Sequence, residues 1–159
     1  MTHVDRLGGR SNRIVLVEDH PVVRFGLKIV IDAQPDMQVI GEASTPADAV
    51  RLAADLQPDL VILALRLEGG LHGIEVCREL KNLPRAPAVL IYTAFNSSED
   101  VASSFLSGAD GFLYKGADSG QLLTSIRATC DGQRVWLPGT ENPEQSSRLR
   151  RAAEESGLT

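Results

Sequence analysis

The stretch LVILALRLEGG, residues 60–70, decides the fold. Four apolar residues run into Ala64, and a short turn-like segment follows. The pattern reads as the end of a buried strand. Working outward, RIVLV (13–17), MQVIGEAS (37–44), AVLIYTA (88–94) and GFLYK (111–115) read as four more strands. Helical patterns separate them. Pro21 suits the first turn of a helix carried to Ile31 by an apolar stretch. Thr45 and Pro46 open a helix over 45–57, with Ala49, Leu52, Ala53 and Leu56 on one face. Segments 73–83, 97–109 and 118–132 supply three more, the last facing Leu122, Leu123, Ile126 and Cys130 inward.

Continuous apolar strands alternating with helices imply an α/β protein: a doubly wound, five-stranded parallel sheet with helices on both faces. A chain of 159 residues suits one such domain, here 13–137. Residues 1–12 are polar and read as a flexible extension. Residues 138–159 read as a linker with a short charged helix. A net charge of −5 argues against DNA binding by this segment itself. No run of about 18 apolar residues could span a membrane, and the start lacks the apolar core of a signal peptide. A cytoplasmic protein is expected. Cys77 and Cys130 lie far apart, without metal-ligand spacing, and read as reduced thiols.

Sheets of this kind carry their sites at the carboxyl ends of the strands. Glu18 and Asp19 follow the first strand, Ala64 ends the third, Thr93 the fourth and Lys115 the fifth. Paired carboxylates can hold Mg²⁺ through oxygen, and a lysine with a hydroxyl can grip phosphoryl oxygens. Each residue also has a plainer reading: the acids as caps of the helix at Pro21, Thr93 as a strand former, Lys115 as a solvated strand end. His20 and His72 read as loop residues.

IVLVEDHPVVRFGL, PDLVILALRLEGGLHGIEVCREL, VLIYTA and GADGFLYKGA together resemble the receiver domain of bacterial two-component response regulators. DH followed by proline, then GLK, is most similar to the NarL/FixJ group with LuxR-type helix-turn-helix output. The resemblance implies a flavodoxin-like receiver fold. It implies Mg²⁺ on Glu18 and Asp19, a conserved hydroxyl at Thr93, a switch aromatic at Phe112 and a phosphate-pairing lysine at Lys115. It puts Ala64 where the family has the aspartate phosphorylated by a sensor histidine kinase. From that replacement follow two expectations: the chain is not phosphorylatable at position 64, and Mg²⁺ binding is weakened. Glu68 is a poor stand-in. Ala64 is either natural, in a receiver working without phosphorylation or binding a ligand, or an engineered change in a kinase-driven switch.

The expected function is the regulatory half of a DNA-binding transcription regulator acting through a homodimer. DNA would be met only through a helix-turn-helix domain beyond Leu158 and Thr159, where such domains commonly begin. An enzyme is not expected, because a phosphatase would need its nucleophile at Ala64.

Overall fold

A computed structural model describes residues 11–68, 70 and 72–139. The elements alternate as expected. They are β1 (Asn12–Val17), α1 (Pro21–Asp32), β2 (Met37–Ala43), α2 (Pro46–Leu56), β3 (Leu60–Leu63), α3 (Gly73–Lys81), β4 (Ala88–Thr93), α4 (Ser98–Leu106), β5 (Gly111–Tyr114) and α5 (Ser119–Cys130). A last strand, β6 (Val135–Leu137), follows. The sheet order is β2-β1-β3-β4-β5-β6, and every pairing is parallel.

Strand alternation splits the core in two. Val15, Val17, Val61, Leu63, Val89 and Ile91 face one side, where α2 and α3 bring Ala49, Ala53, Cys77 and Leu80. Ile14, Leu16, Leu60, Ile62 and Leu90 face the other, against Leu27 and Ile31 of α1 and Leu122 and Ile126 of α5. Helices therefore cover both faces, and the middles of the central strands are apolar. Three helices begin at side-chain caps: Thr45 accepts from the Asp48 amide, Ser97 from Asp100 and Asp118 from Gln121. Each cap contributes about 1 kcal/mol. Both cysteines are free, and burial, then the charge of nearby carboxylates led by Asp59, pushes the Cys130 thiol up to about 12.

The expected five-stranded sheet is corrected to six strands. Val135, Trp136 and Leu137 pair with Gly111, Phe112 and Leu113. Three residues are too few to show the periodicity that marks a strand. What holds it is tertiary: the Trp136 ring packs edge-on to Phe105 at 5.2 Å and against Phe112 at 5.8 Å. Apart from the few residues bordering the domain, the expected extension 1–12 and linker 138–159 lie outside the described residues.

Candidate functional site

The backbone ladder aligns the strand tips. The Glu18 amide donates to the Ala43 carbonyl at 3.0 Å, Ala64 to Val17 at 2.9 Å, and Lys115 to Thr93 at 2.8 Å. Glu18, Asp19, Ala64, Thr93 and Lys115 thereby border one open cavity of about 360 Å³ at the carboxyl edge. Phe112 does not border it. That ring is fully buried in the core, tilted against Trp136.

Glu18 is the most enclosed acid among the described residues, with its side chain 4% exposed. Lys115 Nζ donates to Oε1 at 2.8 Å, and the His20 amide donates to Oε2 at 3.0 Å. The His20 ring Nδ1 lies 2.8 Å from the same Oε2. Burial pushes the Glu18 carboxyl up, but these hydrogen bonds and the Lys115 charge outweigh it and hold it below its ordinary value. His20 sits at the N-cap of α1 without capping it, because its ring turns to the acids. The plainer reading of the acids as helix caps therefore fails. His20 does lie in the loop, with its ring turned toward the acids.

Asp19 turns the other way. Its Oδ2 accepts the Glu68 amide at 3.0 Å. That bond ties down a backbone in the left-handed region, with φ of 54° at Glu68. Glu68 thus serves the site through its amide, not its carboxylate. Asp19 Oδ1 lies 3.1 Å from His20 Nδ1 but accepts no hydrogen bond, although it is shielded from solvent. A buried carboxylate oxygen without a donor is costly unless something positive meets it. Ligand atoms of Glu18, Asp19 and His20 all lie within 4.8 Å of one another. The oxygen donors suit a hard divalent cation such as Mg²⁺.

Thr93 is buried, and its Oγ1 accepts the Phe95 amide at 3.0 Å. Two cavity residues escaped the sequence reading, Arg66 and Phe95. The Arg66 guanidinium lies 4.2 Å over the Phe95 ring. A charged residue two positions past a strand tip carries no motif, and only the fold brings it to an aromatic 29 residues later in the chain.

Residues 14–127 match the response regulator receiver domain. The chain belongs to the response regulator receiver family. The receiver is 36% identical to the transcriptional regulatory protein LiaR of Bacillus subtilis over 146 residues, which are 89% of this chain and 66% of LiaR. It is 36% identical to the DNA-binding transcriptional activator DevR/DosR of Mycobacterium tuberculosis, covering 92% of this chain and 69% of that protein. With the nitrate/nitrite response regulator NarL of Escherichia coli it shares 34%, covering 86% and 62%. The chain thus spans about two thirds of the length of these relatives. A LuxR-family response regulator from Aurantimonas sp. SI85-9A1 superposes with a TM-score of 0.75 at 33% identity, over 92% of this chain and 99% of that one. Receivers are signalling modules of two-component phosphorelays rather than enzymes, and sensor histidine kinases are their partners. No helix among the described residues is long and apolar enough to cross a membrane.

The expectations hung on Ala64 are corrected here. The receiver match runs through the strand tip, and the Glu18, Asp19 and His20 cluster converges without help from position 64. A weakened Mg²⁺ site is therefore withdrawn. So is the loss of phosphorylation as a property of the whole chain, since it rested on one position in a domain that otherwise matches its family. What stands is chemical: residue 64 offers a methyl group and no oxygen. The β3 segment does hold an intact carboxylate, Asp59, which accepts the Arg13 amide at 2.8 Å and lies 4.0 Å from Arg85. Asp59 enters β3 at its amino end, roughly 16 Å from the cavity at the rise of a strand.

Proposed function

We propose that this receiver is the regulatory part of a cytoplasmic transcription regulator with a LuxR-type helix-turn-helix output. Its signal is a phosphate-class group from a sensor histidine kinase, read at the carboxyl-edge cavity. Glu18 and Asp19 hold Mg²⁺ there. Lys115 and Thr93 meet the phosphoryl oxygens, and Phe112 passes the change to a homodimer surface. Similarity to LiaR, DevR/DosR and NarL, all named as regulators, supports the output. The observation that carries the cation site is the donorless Asp19 Oδ1 beside Glu18.

Thermal unfolding with millimolar Mg²⁺ tests it. Mg²⁺ raises the Tm of the chain by a few degrees and leaves Asp19→Asn unmoved. Equal shifts in both would overturn the cation site. Treatment with a small acyl-phosphate donor, followed by peptide mapping, identifies the residue that takes the phosphoryl group. An unlabelled chain would leave cation and anion binding as the whole of the signal at this cavity.

A further inference from the structure

Arg66 lines the cavity and takes no part in the work of Glu18, Asp19, Thr93 and Lys115. Its Nε is shielded from solvent and has no hydrogen-bond partner among the described residues. No ion pair is formed by Arg66 there either, while the other cavity cation, Lys115, is already paired with Glu18 at 2.8 Å. The guanidinium instead lies on the Phe95 ring, 4.2 Å from its centroid. Stacking uses the flat face of a guanidinium and leaves its N–H edge free to donate. It also fixes the plane of that edge before any ligand arrives.

We propose that Arg66, held by Phe95, is a specificity-determining residue that binds the oxygens of a phosphate-class dianion in the cavity. This rests on the reading of the cavity as the cation and phosphate site. Charge supports it. Glu18 and Asp19 are balanced by Lys115 and Arg66, so a divalent cation on the acids leaves the cavity with the two positive charges that a phosphate dianion needs. Without Arg66 only one remains. Ala64 adds no charge and no bulk beyond a methyl group. Geometry agrees, because a fork of N–H donors suits paired phosphoryl oxygens better than a single ammonium does.

The test is calorimetric titration of inorganic phosphate into the whole chain at saturating Mg²⁺. The wild-type chain binds phosphate. Arg66→Ala binds it at least about tenfold more weakly, the loss expected for a charge-assisted hydrogen bond. Arg66→Lys recovers part of the affinity, since it restores charge without the fork. Phe95→Leu weakens binding less than Arg66→Ala does, because the cation stays but loses its platform. Equal phosphate affinity in wild type and Arg66→Ala would overturn the inference and leave the cavity reading intact. No phosphate binding by the wild-type chain would overturn both.

Discussion

The two edges of the sheet use the same residue types to opposite ends. At the amino edge, an aspartate precedes each of β2, β3 and β5. Arg127 donates to both oxygens of Asp36, at 2.7 and 3.1 Å. Asp59 accepts the Arg13 amide of β1. Asp110 accepts the Val89 amide of β4 and the Lys81 ammonium, each at 2.8 Å. These carboxylates stitch neighbouring strands together and tie helices to them. At the carboxyl edge the acids crowd one another, one oxygen lacks a donor, and an arginine rests on a ring instead of on a carboxylate. Carboxylates met by amides and cations of neighbouring elements serve stability, whereas groups left short of partners stand ready for a ligand.

Removing a carboxylate at the amino edge should therefore hurt folding and spare the site. Asp110→Ala has the largest expected effect, about 3 kcal/mol in urea unfolding, because it strands the buried Val89 amide and frees Lys81. Asp59→Ala should cost about 2 kcal/mol and leave the Mg²⁺-dependent rise in Tm unchanged. A lost Mg²⁺ response in Asp59→Ala would break the contrast between the edges. Adding a carboxylate at the other edge sharpens it. Ala64→Asp puts a third acid beside Glu18 and Asp19, so it should destabilise by about 1 to 2 kcal/mol in a chelator and regain part of that with Mg²⁺. Equal stability of the two forms in both conditions would refute the crowding argument.

The smallest effect concerns pH. Glu18 is held below its ordinary value of 4.5 in the folded chain. Its contribution is thus fully present above that value and fades as pH falls through the lower, folded one. Glu18→Gln should flatten the acid limb of stability against pH in chelator. An unchanged acid limb would show that Lys115 and His20 do not favour the charged carboxylate.

Much of this was legible in the chain. The strand runs at 14–17, 60–63 and 88–91 are continuous and apolar because helices cover both faces. That same order puts Glu18, Asp19, Thr93 and Lys115 on one edge. Reading consequence from position 64 was less secure. One residue type says what a side chain cannot do, and it does not report what its neighbours still hold together. Arg66 and Phe95 were invisible because their meeting depends on two loops from different strands. The Glu68 carboxylate is, as expected, no stand-in for an acceptor; its contribution is a backbone amide, which sequence does not encode as chemistry.

By itself, then, the sequence determined the alternation of strand and helix, the parallel sheet and the edge on which the acids, hydroxyl and lysine meet. Periodicity and chain connectivity suffice for these, since a right-handed crossover brings each strand tip to the same edge. Only the tertiary structure decided the sixth strand, the pairing of Glu18 with Lys115, the donorless oxygen of Asp19 and the stacking of Arg66. Each depends on atoms distant in the chain coming within a few ångströms, and no local pattern records that distance.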